Sequence, residues 1–333
     1  MNHRDRIPTG LRGWGGVVAM VVACALTAVL TLTLLPRGSA ASASGGAGSG
    51  GPGTASASLA KAEECEDPEA SVKPSRAEGP TIDEIKTRTD KPNKLIVGID
   101  QNSYRWGYRD PNSGELKGFD IDLARRIAKD VLGDEKKIVF RAIPTNQRIP
   151  AIQNGTVDMV VRTMTISCDR LADVSFSTAY FETGQQLLVP RDSKIDGYND
   201  KLKGKRLCSA AGSTALSELK KKAFGADIST VVPNQLDCLV RLQLGEVDGV
   251  VTDSALAAGQ AAQDPTVRLA GKTFTHGEYY GVAMKKGADD LVARVNQVLV
   301  DYRKNGWKKS YDAWLSADLG KGMEPPDPKY LKD

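Results

Sequence analysis

The sequence predicts an α/β fold of two similar lobes joined by a two-strand hinge, and three observations predict it. The stretch "IQNGTVDMVV" at Ile152–Val161 returns nearly unchanged as "LQLGEVDGVV" at Leu242–Val251. Each copy reads as a helix end, a Gly stop and a buried strand opened by Val-Asp. Around each copy strands and helices alternate, as in a parallel α/β sheet. Two further strand-like stretches that resemble each other, "QQLLVPRD" and "YYGVAMKK", read as the crossings between the lobes.

Residues 1–37 are expected to be an N-terminal membrane anchor or a signal peptide. Arg4, Arg6 and Arg12 precede an uncharged run from Trp14 to Leu35, long enough to cross a bilayer core as a helix. The "GSAASA" after Pro36 equally offers small-residue cleavage sites. Val21-Val22-Ala23-Cys24 resembles a lipobox, but the apolar run continues past Cys24 to Leu35, where a lipidated chain usually turns polar, so lipidation is the less favoured reading. Each alternative places the rest outside the cytoplasm, anchored to the cell membrane or, if the signal is cleaved, secreted.

Residues 38–93 are expected to be a flexible tether and N-terminal extension. Gly38 to Ala60 is almost wholly Ala, Ser and Gly, a composition that buries too little apolar surface to fold.

The first lobe is expected over 94–183, the second over 184–278, a return to the first over 279–320, and a tail over 321–333. In the first lobe "KLIVGID" reads as a strand and "GFDIDLARRIAKDVLG" as an amphipathic helix stopped by Gly133. Strand "KKIVFRAI", short helix "QRIPAIQNG" and strand "VDMVV" follow. After "QQLLVP" the pattern restarts: strand "KRLCSA", helix "STALSELKKKAF", strand "DISTVV", helix "QLDCLVRLQLG", strand "VDGVV" and helix "SALAAGQAAQ". "YYGVAMKK" reads as one strand, and "DDLVARVNQVLVDYRKNG" as a long helix going back to the first lobe.

The chain carries 45 basic and 41 acidic residues with no strong basic block, so nucleic acid is not an expected partner. Four cysteines face an oxidising compartment, and they allow three pairings. Cys208 with Cys238 is favoured, because they stand at neighbouring ends of adjacent α/β units, which leaves Cys65 with Cys168. A metal site would need close Cys or His, and the only histidines are His3 and His276. No metal and no cofactor is expected.

Ligands of open α/β sheets bind at the carboxyl ends of strands. After the first repeat stand Arg162, Thr163, Thr165, Ser167 and Arg170; after the second stand Thr252, Asp253 and Ser254. One lobe thus offers arginine and hydroxyls to a carboxylate, the other a carboxylate to an ammonium. A ligand bearing both groups is an α-amino acid. The alternative is that Arg170 and Asp253 are ordinary solvated charges or helix caps.

"GFDIDLARRIA", "QRIPAIQNGTVDMVV", "TMTISCDR", "VSFSTAYFETGQQLLV", "LKGKRLCSAAGSTA", "VDGVVTD" and "YYGVAMKK" resemble, in order and spacing, family 3 of the solute-binding proteins of ABC transporters. The resemblance covers Leu95 to about Leu319. It implies a periplasmic-binding-protein type II fold, and it is strongest to the acidic amino-acid binders of high-GC Gram-positive bacteria. These include a sensing branch that works beside a membrane protein and a Ser/Thr kinase, which "SC-D-R" and "ECEDPEASVKP" resemble. The implied function is extracytoplasmic binding of glutamate or aspartate, with asparagine and glutamine next. The ligand would then be delivered to an ABC permease or reported to a membrane sensor by cleft closure. A monomer is expected.

The resemblance also implies roles. Arg170 would pair bidentately with the ligand α-carboxylate, which a planar guanidinium suits. Thr165 and Thr163 would add donors, and Asp253 would take the α-ammonium. Ser213 and Thr214, after Gly212 at a helix start, would meet an anionic group, or else form a plain cap. Arg148 matches a family arginine that binds the distal carboxylate in acidic amino-acid receptors, or it braces its helix. Arg162 stands where many members have Ala or Gly, and a charge at a strand end wants a partner. Asp100 matches a position where glutamine binders accept from the side-chain amide. It would repel an acidic ligand unless paired with Arg148 or Arg162. Tyr104 and Trp106 fit either a wall for the ligand or packing.

The competing class is an enzyme of the same fold, a dehydratase acting on a small carboxylate. Catalysis needs a poised acid or base. There is no G-x-S-x-G and no phosphate loop, and Glu278 beside the second crossing is the one cleft acid to test.

Overall fold

The computed structural model describes residues 65–332, so the expected membrane segment and most of the tether lie outside the described residues. The chain divides after Lys61 into two units, and the architecture below is that of the second. Among the described residues no helix is long and apolar enough to cross a membrane. From Cys65 the extension runs as extended chain, bridged at Ser71 to Tyr330 of the tail. Helix α1 (Pro80–Thr87) then buries Ile82 and Ile85.

The first sheet begins with β1 (Leu95–Ile99), buried at every residue, as a strand covered on both faces must be. β2 (Asn102–Ser103), β3 (Gly107–Arg109) and β4 (Leu116–Lys117) make a small antiparallel flap. Helix α2 (Phe119–Leu132) follows and stops at Gly133, whose φ of 79° is left-handed. β5 (Ile138–Ala142), α3 (Arg148–Gln153), β6 (Met159–Val160), the single turn α4 (Cys168–Leu171), β7 (Val174–Phe176) and the crossing strand β8 (Phe181–Thr183) complete this half.

The second sheet is built from β9 (Gln185–Pro190), β10 (Arg206–Ala210), α5 (Thr214–Lys221), β11 (Asp227–Val232), α6 (Gln235–Gln243), β12 (Gly249–Asp253), α7 (Ser254–Gln263) and β13 (Val267–Ala270). The chain then crosses back as β14 (Glu278–Tyr280), antiparallel to β8. It re-enters the first sheet as β15 (Ala283–Lys285) and ends in α8 (Asp289–Asn305), α9 (Trp307–Trp314) and α10 (Ser316–Leu319).

The strand orders are β5-β1-β6-β15-β7 and β11-β10-β12-β9-β13, one pattern used twice. The repeated stretch supplies the central strand of each sheet, β6 and β12. Its glycines, Gly155 and Gly245, take φ of 66° and 70° and end the preceding helix. Its aspartates staple the neighbouring strand: Asp158 accepts from Ile96 N at 2.7 Å, and Asp248 from Arg206 N at 2.8 Å. The repeat therefore encodes a helix stop and a strand register, which each lobe needs once.

The sheets are mixed, which corrects the parallel reading. β15 runs antiparallel to β6 and β7, and β9 antiparallel to β12 and β13, because each crossing enters its sheet from the opposite end. "YYGVAMKK" is accordingly two strands. Gly281 breaks it, packed so tightly that a Cβ would lie 2.9 Å from the Ile166 side chain.

Alternating residues of each sheet feed separate cores on its two faces: Leu95, Val97 and Ile99 on one side of β1, Ile96 on the other. Trp106 belongs to the packing and not to a ligand wall. It is buried against Phe181 at 4.8 Å between ring centroids and donates to the Ala255 carbonyl at 3.2 Å. Cys208, inside β10, is bonded to Cys238 of α6, and Cys65 is bonded to Cys168 of α4.

Candidate functional site

The carboxyl ends of β6 and β12 face each other across the cleft between the sheets. The chain leaving β6 turns at Thr163, whose φ of 40° is left-handed. The turn is held by Asp120, which accepts from Thr163 N at 3.0 Å and from the Tyr180 hydroxyl at 2.9 Å. Burial pushes the Asp120 carboxyl up to about 7. Thr163 Oγ1 is buried, lines the cavity and has no hydrogen-bond partner.

Ser167 caps α4 by accepting from Arg170 N, which aims the Arg170 guanidinium across the cleft. It donates to Thr165 O at 2.6 Å and to Gly212 O, on the second lobe, at 3.0 Å. Arg148, at the start of α3, donates to Thr145 O at 2.9 Å and to the same Gly212 carbonyl at 3.3 Å. Gly212 is a place where the lobes' backbones nearly touch. Its φ is 72°, and a Cβ there would lie 3.1 Å from Asn146 Cα.

On the second lobe Ser213 is the cap of α5, accepting from Leu216 N at 3.1 Å and donating to Ala210 O at 2.7 Å. Its hydroxyl is thus committed to the helix. Thr214 Oγ1 accepts from Gln185 Nε2 at 3.0 Å. Asp253, ending β12, accepts from the Tyr280 hydroxyl at 2.6 Å and from Gln185. The same Gln185 amide reaches Glu278 at 2.8 Å. Burial raises both carboxyls above their usual range, and the charge of Asp253 raises Glu278 further.

Arg148, Thr163, Thr165, Arg170, Ser213, Thr214 and Asp253 all line one cavity. Its volume is about 10 Å³, room for about one water, so the lobes must part to admit anything larger. Asp100, Arg162 and Tyr104, also expected to contact the ligand, are not among the residues that line this small cavity. Arg162 and Asp100 form a buried ion pair at 2.9 Å. Arg162 also donates to Asn234 Oδ1 of the second lobe at 3.1 Å. The pair neutralises both buried charges, while Arg162 Nε and Nη1 stay buried without a hydrogen-bond partner. The Tyr104 ring packs edge-on to Tyr108.

Three residues of the site were not singled out from the sequence: Gln185, Gln235 and Asp120, while Thr252, named there only as standing after the second repeat, lines the cavity. Gln235 lines the cavity while its Oε1 accepts from Thr145 Oγ1 at 3.2 Å. Gln185 had a legible signal, being a polar opening to the otherwise apolar "QQLLVP", where a buried amide requires partners. Among the described residues no grouping of three or more His, Cys, Asp or Glu could hold a metal ion.

The profile of the bacterial extracellular solute-binding proteins, family 3, matches residues 95–317. The chain is 38% identical over 227 residues to the ABC transporter glutamine-binding protein of Bacillus subtilis, covering 68% of this chain and 82% of that protein. It is 31% identical over 241 residues to the glutamate-binding protein of Corynebacterium efficiens, covering 69% and 80%. Among solved structures, an ancestral arginine-binding protein bound to glutamine superposes with a TM-score of 0.63 at 37% identity, covering 69% of this chain and 99% of that one.

Proposed function

The chain belongs to the bacterial extracellular solute-binding proteins, family 3, and from that premise we propose that it binds glutamate or aspartate between its lobes, with glutamine and asparagine as weaker ligands. The observation that carries this reading is the charge of the cavity wall: two guanidiniums, Arg148 and Arg170, against one carboxylate, Asp253. A ligand with two carboxylates and one ammonium is its complement. Asp100, the residue that would repel such a ligand, is neutralised by Arg162. Glu278 stands behind Gln185 and is not part of the cavity wall.

In this reading Arg170 takes the α-carboxylate together with the first-turn amides of α5, and Asp253 takes the α-ammonium. Thr163 and Thr165 supply hydroxyls or backbone groups. Arg148 and Gln235 meet the distal group. Ligand contacts made to both lobes only when the cleft is shut are what shift the population toward closure. The closed form is then read by an ABC permease or by a membrane signalling partner.

Relatives that bind glutamine and glutamate bracket the acid and its amide. The family is one of receptors, which disfavours the dehydratase reading. A melting screen against the twenty amino acids tests the proposal, because ligand at a hundred times its dissociation constant stabilises a fold by about 2.7 kcal/mol. Glutamate and aspartate should raise the midpoint most. A rise with the amides alone would overturn the acidic preference, and no rise with any would overturn the site.

A further inference from the structure

A second pocket, of about 460 Å³, opens between α2 and the junction of α8 with α9. It shares no lining residue with the interlobe cavity. Arg125, Arg126 and Lys129 of α2 face Lys309 of α9 across it. Arg125 and Lys129 are four apart on one helix, a spacing at which like charges repel.

Among the described residues Arg126, Lys129 and Lys309 have no ion-pair partner, and Arg125 lies over the Phe140 ring at 5.5 Å. The pocket holds two carboxylates, Asp122 and Glu135. Asp122 is already engaged, accepting from Ser310 Oγ and Trp314 Nε1, both at 2.7 Å. At the pocket's base Tyr302 is 3% exposed, and its buried hydroxyl, beside Ser310, has no hydrogen-bond partner. A buried hydroxyl left in that state wants a partner.

Four cations against two carboxylates leave a net positive charge that a phosphate group offsets, and guanidinium and ammonium donors from two helices can reach several of its oxygens at once. We propose that this pocket is a second ligand site, for a phosphate group carried either by inorganic phosphate or by the headgroup of an anionic phospholipid. Arg126 and Lys309 grip it from opposite walls, and Tyr302 donates to an inward oxygen. The site is independent of the amino-acid cleft.

The test is the melting midpoint of the full chain in non-ionic detergent, titrated with inorganic phosphate or with glycerophosphoglycerol, each against sodium chloride of equal ionic strength. A saturable rise beyond chloride is expected. Arg126→Gln with Lys309→Gln should weaken the apparent affinity by about tenfold or more, and so, to a lesser degree, should the exposed single change Lys129→Gln. Arg170→Ala should leave the response intact, which separates this pocket from the cleft. A response to phosphate alone assigns the free anion, and one to the diester assigns the lipid headgroup. The proposal fails if neither probe exceeds chloride, if the double variant responds as the parent does, or if Arg170→Ala abolishes the response.

Discussion

The Arg170 guanidinium, rooted in the first lobe, donates to the carbonyl oxygen of Gly212 in the second at 3.0 Å. One side chain therefore does two things: it presents the positive charge that a carboxylate needs and it ties the lobes together at the cleft. Arg148 reaches the same carbonyl, so the two guanidiniums converge on one backbone oxygen. A carboxylate placed between them would relieve that crowding of like charge.

The arginines should divide by role. Arg148→Gln should weaken glutamate and aspartate while leaving glutamine and asparagine nearly unchanged, because the amides bring no distal charge. Arg162→Met should act on stability instead. It takes the only ion-pair partner among the described residues from the buried Asp100 carboxylate, which keeps hydrogen bonds from Asn102 N and Ser103 Oγ, so a loss of about 3 kcal/mol should register in denaturant melts, and Asp100→Asn should recover part of it. Equal loss for acids and amides in Arg148→Gln would remove the acidic preference.

Asp120 sets a pH dependence. Its carboxyl is raised from the ordinary 3.8 to about 7, so across that window the unfolded chain has released a proton that the folded chain keeps. Stability contributed by this group is full at the acid end and is lost as pH rises through 7. The window corresponds to about 4 kcal/mol. Asp120→Asn removes the titration, so the stability gap between parent and variant should change by about that amount between pH 4 and pH 8. A gap that stays constant with pH would show that Asp120 is not the group.

The sites that sequence reasoning reached and those it missed differ in kind. The helix stops at Gly155 and Gly245 and the strands after them are local, and their pattern is written in neighbouring residues. Strand direction is not local. Nothing in "YYGVAMKK" says that Ala283–Lys285 lies antiparallel between β6 and β7. The two-residue strands of the flap carry too few residues to show a period. Asp100 reads from the sequence as repelling an acidic ligand unless paired with Arg148 or Arg162, and the pairing it takes, Arg162 across 62 positions, depends on the register of β1 with β6. Gln185, which reaches Asp253 and Glu278 across 68 and 93 positions of sequence, has a function only in three dimensions.

The disulfide between Cys65 and Cys168 spans 103 positions and holds the extension to the turn that carries Arg170. Closing a loop of that length is worth about 4.7 kcal/mol in the chain-entropy model. Cys65→Ser with Cys168→Ser should therefore lower stability by an amount of that order and weaken ligand together with it, because α4 loses its anchor. Calorimetry showing lowered stability with ligand affinity intact would separate the staple from the site.

The most direct test of the account is a calorimetric titration of Arg170→Ala with glutamate beside the parent protein. Removing the guanidinium leaves a buried α-carboxylate without its partner, which costs about 3–5 kcal/mol, or two to four decades in affinity, and glutamine should suffer the same loss because it has the same α-carboxylate. Glutamate bound by the variant as tightly as by the parent would contradict the claim that this cleft holds an amino acid by its two charged ends.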